Sequence, residues 1–189
     1  MKGSIVLLAL FFVACGGNYS PKPLAFPRVN FPEKNYQLFS PENCPFEFEI
    51  PAYANMEVDK DKNTEPCWYN MKFPVYDATM HLSYKPVMNL KMFDSIYEDT
   101  RVLTMKHFEK ADQIEELDIN NKKNKVYGLI YTLKGNTATN FNFFITDSAN
   151  HFLRGALYFD NHTKQDSVMP AYKYMVKDAY RMIETARWK

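Results

Sequence analysis

The sequence predicts an α+β fold in which an antiparallel meander of β-strands is covered by two main helices. Three consecutive apolar runs, 126–133, 141–145 and 152–159, have the length of strands and are separated only by short polar links. Apolar residues also recur at helical spacing over 89–110 and again from about residue 170. Strands joined by such short links pair antiparallel, and the two helices provide their cover.

The strands that precede the meander are shorter. Apolar and acidic residues alternate from Phe46 to Ile50, which predicts a strand with one solvated face. A polar loop is expected over 52–66, followed by short strands near 68–73 and 79–85 and a weaker strand near 112–119. These elements give the meander further partners in a sheet.

Each predicted helix has one apolar side. On the first, over 89–110, this side comprises Leu90, Phe93, Ile96, Tyr97, Leu103 and Phe108. The second begins at about Pro170, because proline is favoured in a first helical turn. Its apolar stripe is Tyr172, Met175, Val176, Ala179, Met182, Ile183 and Ala186, opposite Lys173, Lys177, Arg181 and Glu184.

The meander is apolar on both of its faces. Val126 and Ile130 point to one face, whereas Tyr127, Leu129, Tyr131 and Leu133 point to the other. A strand that is buried on both faces requires cover on both sides of its sheet. The expected architecture is therefore an α/β/α sandwich, and this order of elements is similar to the Mog1/PsbP-type fold. A likeness at the level of the fold implies no function.

Composition limits the functional classes. The chain has 189 residues, enough for one domain, and 46% apolar with 16% aromatic residues provide a core. Only 6 glycines argue against an all-β protein with many tight turns. Charge is balanced at 23 basic and 22 acidic residues. The sequence thus gives no electrostatic reason to expect a nucleic acid or an anionic lipid as partner.

The first fifteen residues predict export and lipid attachment. Lys2 precedes nine apolar residues, Ile5 to Val13, a run too short to span a membrane but suited to a secretion signal. Ala14 directly before Cys15 resembles the lipobox of bacterial lipoproteins, with Phe12 where leucine is usual. We therefore predict a signal peptide over 1–14 and acyl chains on Cys15. The alternative is an ordinary cleaved signal peptide that contains a cysteine.

Two cysteines remain once Cys15 is acylated. An oxidising compartment favours a disulfide between Cys44 and Cys67, and two buried free thiols are the alternative. The preceding segment, 15–36, is a proline-rich tether with Pro21, Pro23, Pro27 and Pro32. About twenty residues of polyproline II would span roughly 60 Å. Phe26, Val29 and Phe31 are unusual for a solvated spacer, so they pack along the domain or meet a partner, with packing preferred. A single domain is expected over 37–189.

Catalytic signatures are not found in the sequence. There is no zincin, P-loop, nucleophile-elbow or Rossmann pattern, and His107 on the first helix is expected to be a core histidine. Paired carboxylates hydrolyse glycosides when one lies in a desolvated pocket. The acidic residues that lie near one another in the sequence are better explained as surface charge, with Arg101 a partner on the first helix. The candidates for a hydrolytic reading are Asp94, Glu98, Glu115, Glu116, Asp118 and His81. No catalytic, cofactor or metal site is predicted.

Several stretches together resemble the GldD family of gliding-motility lipoproteins of the Bacteroidetes. They extend from the lipobox to the C-terminus: Cys15–Gly17, Pro21–Pro23, Pro32–Phe39, Cys44–Phe46, Glu65–Trp68, His81–Pro86, Lys125–Leu129, His151–Phe159, Ile183–Thr185 and Trp188–Lys189. One departure is Leu24–Pro27, where the family pattern leads us to expect an Arg-Gly-aromatic run. Cys44 and Cys67 match cysteines of the family, whereas their pairing is our inference.

The resemblance implies a role in gliding, within machinery that includes the type IX secretion system, and no enzymatic activity or cofactor. Only Cys15 is carried over as a functional position. Residues 16–19 lack an acidic surface-export signal, so we expect an outer-membrane lipoprotein whose domain faces the periplasm. Expected partners are the membrane, through the acyl chains, and other envelope proteins of this machinery. The alternative is a ligand-binding or hydrolytic envelope lipoprotein that acts on glycan or lipid.

Overall fold

The computed structural model describes residues 30–108, 111–135, 137–159 and 165–189. In these ranges the strands are β1 (Tyr36–Phe39), β2 (Phe46–Pro51), β3 (Asn55–Val58), β4 (Tyr69–Phe73), β5 (Ala78–Pro86), β6 (Gln113–Asn121), β7 (Val126–Lys134), β8 (Thr139–Thr146), β9 (His151–Phe159) and β10 (Arg187–Trp188). The helices are α1 (Leu90–Phe108) and α2 (Gln165–Thr185), and a 3-10 turn spans Pro74–Tyr76.

Seven strands form one antiparallel sheet in the order β3-β4-β5-β9-β8-β7-β6. The predicted meander is its centre, and every residue of β8 is buried. The side chains of successive residues in a strand point to opposite faces, so this strand is covered on both sides. The α+β fold with a covered antiparallel meander is confirmed.

The main core lies between the sheet and α2. Met175 and Ala179 of α2 are fully buried in one apolar cluster with Phe141, Phe143 and Leu153 of the sheet. The predicted stripe of α2 is thus the face that packs on the sheet. A second, smaller sheet of β1, β2 and β10 adds Phe46, Phe48 and Ile50 to the same cluster.

The opposite face of the sheet carries a smaller core beneath α1. Ile96 packs there with Tyr131, Leu133, Phe144 and Phe152. The assignment of the two faces of β7 is therefore correct, because Val126 and Ile130 belong to the α2 side. We call these two surfaces of the seven-stranded sheet the α2 face and the α1 face.

The apolar side predicted for α1 is partly wrong. Leu90 and Leu103 are 76% and 42% exposed, whereas Thr100 and Thr104 are buried. A buried hydroxyl needs a hydrogen-bond partner, and Thr104 Oγ1 donates to the carbonyl of Thr100 at 2.9 Å. Because the helix itself satisfies this hydroxyl, threonine occupies a buried position that hydrophobicity alone assigns to leucine. The predicted positions of the His107 and Phe108 side chains lie outside the described residues.

Two other predicted boundaries are corrected. Residues 55–58 form β3 rather than part of a polar loop, because they pair with β4 and Met56 packs against the main core. The second helix begins at Gln165, which places Pro170 in its second turn. Met169 also packs against the main core, so the apolar stripe starts before the proline. The strands β1 and β10 are too short for a periodic pattern and were not predicted.

Candidate functional site

The residues considered for hydrolysis lie on separate elements. Asp94 and Glu98 are exposed on α1, and the acidic residues of β6 are exposed along an edge of the sheet. His81 lies on β5, four strands away from β6, and four strand spacings amount to about 19 Å. The structure therefore does not bring His81 together with the carboxylates of β6 in one site.

One of these carboxylates, that of Glu98, forms an ion pair at the protein surface. Arg101 donates to both oxygens of Glu98, at 2.6 and 2.8 Å, and these hydrogen bonds lower the pKa of Glu98. Glu115 similarly accepts from Lys134 Nζ at 2.7 Å. Glycoside hydrolysis needs one carboxyl in its protonated form, which the Arg101 contact disfavours at Glu98. The predicted surface partnership of Arg101 is present.

The described part of the chain shows neither a group of metal-ligating side chains nor a membrane-spanning helix. Within 30–108, 111–135, 137–159 and 165–189, no three His, Cys, Asp or Glu side chains group together as metal ligands. Neither of the helices in those ranges is long and apolar enough to cross a membrane. Cys15 and the predicted signal peptide over 1–14 lie outside the described residues.

A buried carboxylate on α2 organises the start of the domain. Asp178 is fully buried, and its Oδ2 accepts from Lys34 Nζ at 2.6 Å. Its Oδ1 accepts from the Tyr36 hydroxyl at 2.9 Å, and Oδ2 also accepts from the Tyr53 hydroxyl. A buried charge is stable only when it is paired and hydrogen-bonded, and three donors meet that requirement here.

The segment just before β1 is fixed on the same helix. Phe31 stacks on Tyr174 with ring centroids 4.5 Å apart, and the Tyr174 hydroxyl donates to the Pro32 carbonyl at 2.6 Å. Lys34 Nζ also lies 3.2 Å from the centroid of the Tyr174 ring. We call the contacts of residues 31–36 with Tyr174 and Asp178 the tether clamp. Through it, the end of the predicted tether packs along the domain.

The electrostatics of the tether clamp follow from burial. Burial lowers the pKa of Lys34, against the opposing effect of Asp178. Burial, and then the hydrogen bond to Asp178, raise the pKa of Tyr36 and of Tyr53. The sequence reasoning did not single out Asp178. The signal that identifies it is a carboxylate between Met175 and Met182, inside the apolar stripe of α2.

A second cluster joins distant segments at one end of the sheet. Cys44 and Cys67 form a disulfide with a Cα–Cα distance of 5.7 Å. Lys85 Nζ lies 2.8 Å from Glu65 Oε1, and Trp68 Nε1 donates to the Tyr84 carbonyl at 2.8 Å. These contacts join the segment that contains Cys67 to the end of β5. We call this region the disulfide end.

Aromatic residues extend the disulfide end to the C-terminus. The Tyr84 hydroxyl lies 2.9 Å from His151 Nδ1, and the His151 ring stacks on Trp188 at 5.0 Å. Trp188 Nε1 donates to the Lys125 carbonyl at 3.0 Å. The stretches that carry the resemblance to GldD, although far apart in the chain, thus supply most of one end of the domain.

An open groove lies between α2 and the edge of the sheet, where Glu115 of β6 and Thr132 of β7 contribute to its lining. Its volume is about 540 Å³, and Tyr172, Val176 and Tyr180 line it together with Lys173 and Lys177. This is within the size range of small-molecule sites, but the groove is open to solvent rather than enclosed. The tether clamp borders it, because Phe31 and Tyr174 also line the groove.

Comparisons with known proteins agree with this architecture. The chain is similar to cyanobacterial PsbP (CyanoP) from Synechocystis sp. PCC 6803, whose solution structure superposes with a TM-score of 0.50 at 11% identity, over 86% of this chain and 98% of the other. At this identity the likeness concerns the fold alone. No curated protein sequence matches the chain significantly. The sequence profile of the family described as gliding motility lipoprotein GldD matches residues 16–188. The chain therefore belongs to the GldD family of gliding motility lipoproteins.

Proposed function

We propose that the protein is a non-catalytic envelope component that supports assembly or stability of the gliding machinery and its type IX secretion system. In this proposal acyl chains on Cys15 hold it at the outer membrane, and its domain faces the periplasm. Family membership supports the link to gliding and the lipid anchor. The observation that carries the proposal further is the tether clamp, which fixes the domain at a defined place on its tether.

The tether clamp fixes the position of the domain relative to its tether. Residues 1–14 are the signal peptide in our proposal, 15–36 the acylated tether and 37–189 the domain. Because Phe31 to Tyr36 are bound to the domain, residues 16–30 are left in this proposal to reach the membrane. A domain whose position relative to its anchor matters requires such a fixed attachment, whereas a freely diffusing enzyme does not.

The hydrolytic alternative has less support. Its candidate carboxylates are exposed on α1 and β6, and His81 is hydrogen-bonded to Asn70 on the neighbouring strand. That chemistry needs a protonated acid and a second carboxylate in one cleft, whereas of these carboxylates Glu115 alone lines the groove beside α2. We therefore place the function in contacts with envelope proteins rather than in glycan or lipid cleavage.

The anchor is tested by replacing Cys15 with alanine in cells. We expect the Cys15→Ala protein to move from the membrane fraction to the soluble periplasmic fraction, and gliding to be lost. Mass spectrometry of the wild-type N-terminus should find acyl chains on Cys15. Gliding at the wild-type rate by cells whose Cys15→Ala protein is soluble would contradict the proposal of an anchored role.

The role of position is tested with an intact anchor. Asp178→Asn should weaken the hold of α2 on Lys34 and Tyr36 while leaving Cys15 unchanged, and Asp99→Asn, an exposed residue of α1, is the matched control. We expect weaker crosslinking to envelope partners and slower gliding for Asp178→Asn alone. Photocrosslinkers at Tyr180 in the groove and at Arg187 at the disulfide end would identify the contacting surface. Equal crosslinking and gliding of Asp178→Asn and wild-type cells would exclude a positional role.

A further inference from the structure

The α1 face of the sheet contains a polar cluster that the proposed function does not use. Ala156 of β9 lies opposite Asn142 of β8 on one side and opposite His81 of β5 on the other. Arg154 and Tyr158 lie two residues before and after Ala156, so they point to the same face. The Ala156 side chain is only a methyl group. Four larger polar side chains surround it, namely His81, Asn142, Arg154 and Tyr158. We call these residues the Arg154 cluster.

The innermost member of the cluster is an amide without partners. Asn142 is 1% exposed, and neither its Nδ2 nor its Oδ1 has a hydrogen-bond partner. An amide offers two donors and an acceptor, and leaving all of them unpaired in the interior costs folding free energy. Its cross-strand neighbours are Tyr131 and Ala156, and the Ala156 side chain has no polar atom to offer. Such an amide is pre-arranged to bind something that enters from outside.

The second unusual member is a cation that no carboxylate of the described residues is shown to pair with. Arg154 is hydrogen-bonded to Tyr158, and its buried Nε has no partner. The residues opposite it are Phe144 and Ser83, which are both uncharged. Burial lowers the pKa of Arg154, and no described carboxylate opposes that effect. Asp178, by comparison, is a buried charge that accepts hydrogen bonds from three donors.

The cluster is accessible from one side. His81 is exposed, Arg154 and Tyr158 are half-buried, and Asn142 is buried, so exposure falls across the cluster toward the part of the face beneath α1. His81 Nδ1 lies 2.6 Å from Asn70 Oδ1, and the His81 and Tyr158 rings meet edge to face at 5.5 Å. These contacts fix the His81 and Tyr158 side chains at the exposed side of the cluster. His81 and Asn142 thus lie on opposite sides of Ala156, with Arg154 beside them on the same face.

We propose that the Arg154 cluster binds a carboxylate that has an N–H or O–H donor next to it. The guanidinium of Arg154 would pair with the carboxylate, which supplies the counter-charge that the described residues do not. The Asn142 amide would donate to a carboxylate oxygen and accept from the adjacent donor. A free N-acylated amino acid and the C-terminus of a peptide share this chemistry. The inference is independent of the proposed function, because it requires neither the anchor nor a role in gliding.

The test is calorimetric titration of the purified mature lipoprotein in detergent. The probes are N-acetylalanine, the acetylated tripeptide of alanine with a free carboxylate, and the same tripeptide with a C-terminal amide. We expect at least one carboxylate probe to bind and the amide to bind at least tenfold more weakly. Binding of N-acetylalanine identifies a small acid as sufficient, and binding of the tripeptide acid alone identifies a peptide terminus. Failure of both acids to bind, or equal binding of the tripeptide acid and amide, would overturn the proposal.

Two variants localise the binding. Arg154→Gln and Asn142→Leu should each weaken binding of the carboxylate probe at least tenfold. Arg101→Gln, which removes an exposed arginine of α1 that pairs with Glu98, should leave it unchanged. Asn142→Leu should also raise the melting temperature, because leucine of similar shape has no polar atoms to leave unpaired. Wild-type affinity in folded Arg154→Gln and Asn142→Leu proteins would overturn the assignment.

Discussion

The two faces of the seven-stranded sheet differ in how they treat polar groups. On the α2 face, apolar side chains fill the interface, and the fully buried carboxylate of Asp178 is bonded to Lys34, Tyr36 and Tyr53. On the α1 face the apolar cluster is small, and Asn142 beside it lacks partners for both polar atoms. The same strands supply both faces, so this difference is not imposed by the backbone. The α2 face thus holds the main core, whereas the proposed binding site lies on the α1 face.

The largest expected effect comes from a cavity on the α2 face. Met175→Ala should lower the free energy of unfolding by about 2–5 kcal/mol, because the fully buried Met175 packs among side chains that cannot all move to fill the space. Ile96→Ala under α1 should cost about 2 kcal/mol, at the low end of that range, since a smaller cluster relaxes more easily. Urea denaturation measures both. A larger loss for Ile96→Ala would reverse our ranking of the two faces.

The disulfide provides the next largest expected effect, again on the α2 face. Cys44 belongs to the main core, and the bond to Cys67 closes a loop across a sequence separation of 23 residues. Replacing both cysteines with serine should cost about 3 kcal/mol in the chain-entropy model, measured by urea denaturation. Reductant should destabilise the wild type by a similar amount and leave the double variant unchanged. A reductant effect of equal size on both proteins would show that it acts elsewhere.

The periodic spacing of apolar residues predicted the strands and the helix whose buried positions are apolar. It failed where polar residues are buried. The meander and the stripe of α2 follow from apolar patterns that extend over many residues. In α1, Thr100 and Thr104 take buried positions because the helix carbonyls satisfy a threonine hydroxyl, so hydrophobicity assigned Leu103 wrongly to the core. Of the tether clamp only Asp178 has a sequence signal, a carboxylate inside the apolar stripe of α2, and the Arg154 cluster has none. Each depends on cross-strand or helix-to-tether contacts between residues that are far apart in the chain.

Breaking the tether clamp should have a smaller effect than either change above. Asp178→Asn keeps an acceptor for the tyrosines but removes the partner of Lys34, whose side chain remains 25% exposed. We expect a loss of about 2 kcal/mol, below the 3–5 kcal/mol of a fully buried pair, because solvent partly stabilises the freed ammonium. A Lys34→Gln, Asp178→Asn double-mutant cycle isolates the coupling between the two charges. Additive losses would mean that the pair contributes nothing beyond its separate residues.

The smallest expected effect is a loss of stability in alkali, and it tests whether tyrosines on the two faces differ. Burial raises the pKa of Tyr131 on the α1 face to about 12, and burial with the Asp178 contact raises that of Tyr53 further. A pKa that is higher in the folded state stabilises the protein below about pH 10, and this stabilisation is lost as pH rises through the folded value. The lowered pKa of Lys34 has the opposite sign and offsets part of the loss.

Urea denaturation at pH 8, 10 and 11 should therefore show stability falling above pH 10. The fall should be less steep in Tyr53→Phe and in Tyr131→Phe, because each removes one proton that the folded state retains. As pH rises toward 12 only the Tyr131 contribution should level off, since Tyr53 remains protonated in the folded protein. Absorbance of tyrosinate at 295 nm provides the independent measurement. If Tyr53 ionises in the folded protein at a lower pH than Tyr131, the carboxylate of Asp178 does not hold its proton as the tether clamp requires.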